Sequence, residues 1–182
     1  MKVTPTAIPD VLIIELRVFG DARGFFHESF NRKAFIEATG LTMNFVQDNH
    51  NHSRSAKGVL RGLHYQIKQP QGKLVRVVRG AVFDVAVDIR RRSPAFGKWV
   101  GVALSEDNHK QLWIPAGFAH GFSVISDSAE VLYKTPDYNA PEHERCLAWN
   151  DQDIAIDWPL NMQSRLSAKD QRGLALCEAE TF

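Results

Sequence analysis

Gly58-Val59-Leu60-Arg61-Gly62-Leu63-His64-Tyr65-Gln66, followed by Lys73 and Gly80, is the stretch that decides the fold. A metal-binding version of this spacing would read Gly, five residues, His-x-His, a few residues, Glu, six residues, Gly. Gly58, His64 and Gly80 are in place, but Gln66 stands for the second His and Lys73 for the Glu. An ammonium cannot ligate a cation and repels one. What remains is one basic imidazole and one fixed positive charge. That pair suits proton abstraction next to a carbonyl, with the lysine steadying the negative charge that develops.

Working outward, short runs of period-2 alternation dominate the centre of the chain. Residues 73–79 alternate around Val75 and Val77. Residues 81–89 place Phe83, Val85, Val87 and Ile89 on one face, with Asp84 and Asp88 on the other. Residues 98–104 put Val100, Val102 and Leu104 together, and 111–115, 120–125 and 129–135 read as further strands. Many short strands with frequent turns predict a mainly β jelly-roll barrel or sandwich. The spacing from Gly58 to Gly80 resembles the first cupin motif. Pro115-Ala116-Gly117-Phe118-Ala119-His120 resembles the middle of the second. Helices are expected only at the periphery. One spans residues 31–39, with Asn31 as N-cap and Gly40 as C-cap. Another opens at the capping box Ser167-Ala168-Lys169-Asp170. The whole chain, 1–182, reads as a single cupin-like domain with N-terminal strands and a short C-terminal helical segment.

The 182 residues carry a formal net charge of +1, which points to neither nucleic acid nor an anionic membrane. No segment reads as a signal peptide or approaches transmembrane length, so a cytoplasmic protein is expected. Cys146 and Cys177 have neither metal-type spacing nor a disulfide framework, and read as buried or incidental thiols.

On strand parity His64 shares a face with Leu60, Gly62 and Gln66. Asp170 has two compatible readings: a member of the capping box, or a partner that fixes the His64 tautomer. Tyr133 shares a strand face with Val131 and Thr135 and reads as a core tyrosine with one buried hydrogen bond, and Tyr138 as a loop aromatic able to stack on a base or sugar. Arg23 and Arg61 each adjoin a glycine, where side chain and backbone can approach an anion together.

Six segments together resemble the dTDP-4-dehydrorhamnose 3,5-epimerase family. They are Phe19-Gly20-Asp21-x-Arg23-Gly24-Phe25-Phe26-x-Glu28, Phe45-Val46-Gln47-Asp48-Asn49-His50, Val59-Leu60-Arg61-Gly62-Leu63-His64, Gln71-Gly72-Lys73-Leu74-Val75-Arg76, Trp113-Ile114-Pro115-x-Gly117-Phe118-Ala119-His120-Gly121-Phe122 and Leu166-Ser167-Ala168-Lys169-Asp170. The resemblance implies a metal-free cupin jelly roll without cofactor, forming a homodimer. It implies epimerisation at carbons 3 and 5 of dTDP-4-dehydro-6-deoxy-D-glucose, a step toward dTDP-L-rhamnose. In that reading His64 is the base, Asp170 orients it, Tyr133 is the acid on the opposite sugar face, and Lys73 lies near the ketone and its enolate. Arg23, Glu28, Gln47, Asp48, Asn49, Arg61, His120, Glu144 and Lys169 would line the nucleotide–sugar site, with Phe26 and Tyr138 covering the thymine. The competing expectations are a single-site epimerase of a related ketosugar, a metal-dependent cupin oxygenase using His64 and His120, and a non-catalytic sugar-binding jelly roll.

Overall fold

The computed structural model describes residues 1–46, 53–159 and 164–182. Its elements are β1 (Lys2–Pro5), β2 (Leu12–Glu15), β3 (Val18–Asp21), β4 (Gly24–His27), α1 (Arg32–Thr39), β5 (Ser53–Ala56), β6 (Leu60–Gln66) and β7 (Lys73–Arg79). They continue with β8 (Ala81–Asp88), β9 (Trp99–Ser105), β10 (Lys110–Ile114), β11 (Phe118–Val124), β12 (Ser128–Lys134) and β13 (Glu144–Cys146). Two antiparallel sheets face each other. One is six-stranded, in the order β1-β2-β10-β7-β12-β5, and the other five-stranded, β13-β6-β11-β8-β9. This is the jelly-roll sandwich that the alternation predicts.

The sheets enclose a core of Val75, Val77, Val82, Ala86, Leu112, Phe118 and Val131, among others. Their outer faces are covered as well. Phe35 of α1 packs with Ile14, Leu74 and Trp113 outside the first sheet. Outside the second, Leu63, Tyr65, Val85 and Val87 meet Leu147, Ile154 and Ala179 from the C-terminal segment. Strand β8 is therefore buried on both faces. Asp84 shares the inter-sheet side with Val82 and Ala86 and has no solvent exposure.

The expected helix forms as α1, and both caps are present. Asn31 Oδ1 accepts the Ala34 N–H at 3.0 Å, and Gly40, at φ 72°, donates its N–H to Ile36 O at 2.8 Å. The expected C-terminal helix is a single 3-10 turn, Asp170–Arg172. It stops because Leu174 turns extended and bridges to Leu147, donating to Cys146 O at 3.0 Å and accepting from the Ala148 N–H at 2.8 Å.

Strands β6 and β11 position the centre of the molecule. His120 is registered with His64, but Phe122 with Arg61, so three steps along β6 oppose two along β11. Such a bulge re-aims side chains. It also brings the two backbones close: a Cβ on Gly121 would lie 2.6 Å from Arg61 O and 3.1 Å from Gly62 Cα. Gly121→Ala must spread the strands at this point. Its cost should be about 1–3 kcal/mol, the usual scale of core overpacking, read as a lowered urea midpoint. An unchanged midpoint would show that the crossing is looser than described.

Candidate active site

A cavity of about 430 Å³ opens between the sheets, lined by Arg61, His64, Gln66, Lys73, His120, Tyr133, Glu144, Lys169 and Asp170 among others. His64 reaches it from β6, Lys73 from β7, His120 from β11 and Tyr133 from β12. Parity alone puts His64 and Gln66 on one face. The bulge brings Arg61 to the same cavity, where its Nε donates to Ser55 Oγ at 3.1 Å.

His64 Nε2 lies 2.7 Å from Asp170 Oδ1. The same oxygen accepts the Gly62 N–H at 3.1 Å, while Oδ2 accepts the Ser167 hydroxyl at 2.5 Å and the Ser167 N–H at 3.1 Å. The Asp170 N–H donates back to Ser167 Oγ at 3.2 Å. Both readings of Asp170 hold together: it closes the capping box and it backs the histidine. Burial would raise its carboxyl, but the hydrogen bonds from His64, Ser167 and Gly62 hold it well below the usual carboxylate range. It stays an acceptor, so His64 Nε2 carries the hydrogen of this bond and Nδ1 is the ring nitrogen free of Asp170.

Tyr133 comes from the opposite sheet. Burial, reinforced by the Glu144 charge, pushes its phenol up to about 12, so at neutral pH it carries a proton to give. Burial also pulls Lys73 down to about 8, against the attraction of Asp84 and Glu144. Its Nζ lies 3.4 Å from the His64 carbonyl oxygen. His120 is buried, with Nε2 3.0 Å from Asp84 Oδ1 and 3.1 Å from Oδ2. Burial lowers its pKa although Asp84 opposes the shift.

Sequence reasoning missed Asp84. Alternation set it on the polar face of β8, and only the covering of both faces turns that face into the interior. It also missed the setting of Cys146, whose Sγ lies within 4.8 Å of a ring nitrogen of His64 and a carboxylate oxygen of Asp170. Those three donors are the group of metal-ligand type found among the described residues. They suit a cation poorly. Two are bonded to each other, and burial pushes the thiol up to about 11.

The remaining expected site residues separate. Lys169 lines the cavity and pairs with Glu144. Tyr138 is 60% exposed on a loop, next to Asn139 at the cavity wall. Gln66 anchors that loop, donating to Tyr138 O at 3.3 Å and accepting the Ala140 N–H at 2.9 Å. Arg23, Phe26 and Glu28 do not line the cavity. Arg23 pairs with Asp21 at 2.6 Å in the β3–β4 hairpin, Phe26 is 69% exposed there, and Glu28 accepts from Asn31 Nδ2 at 3.1 Å. Gln47, Asp48 and Asn49 lie outside the described residues.

A jelly roll that gathers a carboxylate-backed imidazole, a protonated phenol and an ammonium around one cavity defines a cupin-like enzyme that moves protons at carbon. Residues 5–178 match the dTDP-4-dehydrorhamnose 3,5-epimerase family, and the chain belongs to that family of isomerases. It is 64% identical over 182 residues to the dTDP-4-dehydrorhamnose 3,5-epimerase of Pseudomonas aeruginosa, covering 100% of this chain and 99% of the relative. The Escherichia coli K12 enzyme of the same name is 60% identical over 179 residues, covering 98% and 96%. Among solved structures, dTDP-6-deoxy-D-glucose-3,5-epimerase from Legionella pneumophila in complex with dTDP-4-keto-L-rhamnose superposes with a TM-score of 0.95. It is 54% identical, covering 98% of this chain and 94% of that one. A 3'-monoepimerase from Streptomyces bikiniensis in complex with dTDP-quinovose gives 0.89 at 32% identity, covering 97% and 88%.

Lys73 gives the site a pH signature. Its ammonium is present below about pH 8 and is lost as pH rises through that value. kcat/KM, which reports the free enzyme, should fall along an alkaline limb near pH 8. Asp84 is the main group holding that proton on. Asp84→Asn should therefore move the limb to lower pH. A limb that stays put, or moves upward, would remove Lys73 from the rate equation.

Proposed function

We propose that this chain inverts carbons 3 and 5 of dTDP-4-dehydro-6-deoxy-D-glucose to give dTDP-4-dehydro-L-rhamnose, in the cytoplasmic synthesis of dTDP-L-rhamnose. The observation that carries this reading is the opposition of His64–Asp170 on one sheet to Tyr133 on the other, with Lys73 beside them. The ketone at carbon 4 acidifies the hydrogens on both neighbouring carbons. His64 Nδ1 takes the proton, and the C–H electron pair moves into the ring–oxygen system as an enolate. The Lys73 ammonium stabilises the oxygen charge, an interaction worth a few kcal/mol in a water-poor site. The Tyr133 hydroxyl then gives its proton to the same carbon from the opposite face, which inverts the centre. Solvent restores the phenol and takes the proton from the imidazolium. The cycle repeats at the second carbon.

Two variants separate base from acid. His64→Asn removes proton abstraction while the cations of the cavity still bind the nucleotide. In deuterated water, NMR should find label at neither carbon 3 nor carbon 5. Tyr133→Phe keeps base and ammonium, so exchange continues as His64 returns protons to the face they left. Inversion should fall by about 10²–10⁴, the usual cost of losing a general acid. Wild-type exchange in His64→Asn would place the base elsewhere, and normal inversion in Tyr133→Phe would do the same for the acid. Label confined to one carbon in the wild-type protein would mark a single-site epimerase.

The substrate site is completed by a second copy of the chain. Support comes from the β3–β4 hairpin, which carries Arg23 and Phe26 away from the cavity of its own chain. It exposes Phe19, Phe25 and Phe26 at 50%, 63% and 69%. Apolar rings this exposed mark an interaction surface. Light scattering at micromolar concentration should give a dimer. A fully active monomer would contradict the shared site.

A further inference from the structure

Glu144 stands between the base and a cation at the cavity wall. Its Oε1 lies 3.4 Å from His64 Nδ1, and its Oε2 pairs with Lys169 Nζ. With Nε2 committed to Asp170, Nδ1 is the ring nitrogen left to take a proton from carbon. Nδ1 makes no hydrogen bond and is all but sealed from solvent. A reacting carbon must come within about 3–3.5 Å of the base. Glu144 Oε1 already lies within that range.

The hold on Glu144 is breakable. Lys169 is 48% exposed and Glu144 26%. An incoming diphosphate outcompetes one carboxylate for an exposed ammonium, because it brings more charge and more acceptor oxygens. Arg61 in the same cavity adds a second cation for it. Glu144 also begins β13, a three-residue strand at the edge of its sheet that follows a 3-10 turn, Pro141–His143. Such a position can shift without opening the core.

We propose that Glu144 is a carboxylate cap on the catalytic base, released when a diphosphate takes Lys169, so that a nucleotide-linked substrate uncovers His64 as it binds. The inference rests on the epimerase reading and extends it. Preference for nucleotide-linked sugars then resides in turnover as well as in affinity, since a sugar without its diphosphate meets a covered base.

The test supplies the substrate in two pieces. The methyl glycoside of 4-dehydro-6-deoxy-D-glucose is incubated with the protein in deuterated water, with and without dTDP or inorganic pyrophosphate, and exchange is followed by NMR. In the wild-type protein the anion should raise exchange on the order of tenfold, the scale of one charge-assisted contact exchanged for another. In Glu144→Gln, of similar shape but without the charge, the bare glycoside should exchange near the anion-activated wild-type rate, and the anion response should largely vanish. Glu144→Ala should behave in the same way. A wild-type protein indifferent to the anion, or variants that respond as strongly as wild type, would overturn the cap and leave Glu144 as an ordinary wall residue. The intact dTDP-linked ketosugar serves as control. Exchange there upholds the epimerase reading whatever becomes of the cap, and its absence would sink both.

Discussion

The Asp170 carboxylate accepts four hydrogen bonds, from Gly62, His64, the Ser167 N–H and the Ser167 hydroxyl. A carboxylate offers about four lone-pair sites, so none is left to turn toward another partner. Through this one group the C-terminal segment is tied to β6 across 106 residues of sequence. The consequences reach the chemistry directly. The imidazole ring is held in one orientation and one tautomer, and the bulged backbone at Gly62 gains a partner where its ladder is interrupted. The rest of the cavity is arranged around a histidine anchored at Nε2.

Charge balance inside the barrel follows from the same economy of partners. Lys73 and His120 face the interior, where an unpaired charge is costly. Asp84, fully buried, serves both: it bonds His120 and attracts the Lys73 ammonium. The outcome differs for the two. Burial dominates for His120, whose pKa falls despite its carboxylate neighbour, whereas Lys73 is still ammonium up to about pH 8. A single buried aspartate thus supports one hydrogen-bonding imidazole and one positive charge. In the proposed reaction that positive charge faces the developing enolate.

Much of this was legible from residues alone, because strand alternation and helix caps are local. The caps of α1, the inter-sheet face of β7 and the shared face of His64 and Gln66 depend only on neighbours in sequence. The pocket position of Arg61 does not, since it needs an extra residue in β6 that leaves no trace in side-chain pattern. Asp84 was hidden for a different reason. Alternation tells which residues share a face, but which face meets solvent depends on whether the segment carrying Leu147, Ile154 and Ala179 covers the other side. The C-terminal helix was over-read. The capping box is real, yet its residues serve the turn and the histidine, and the bridge from Leu174 to Leu147 ends the turn at once. Glu144 was implied only by family resemblance; nothing in its local sequence shows that β13 pairs with β6 and sets it opposite Gln66.

The sandwich itself explains how a small set of groups can reverse a stereocentre. A base and an acid on one wall would remove and return a proton on the same side of the sugar, giving exchange without inversion. Here His64 belongs to the five-stranded sheet and Tyr133 to the six-stranded one. A ring lying between them presents one face to each. Proton affinities alone do not create that distinction, since a phenol held up to about 12 would donate equally well from either wall. What selects inversion in the proposed reaction is the separation of the walls. That separation is set by packing around Val75, Ala86, Leu112 and Val131, residues that take no part in the chemistry. In the proposed reaction the hydrophobic core therefore enters the stereochemical outcome as directly as the polar groups do, by holding donor and acceptor on opposite sides of one ring.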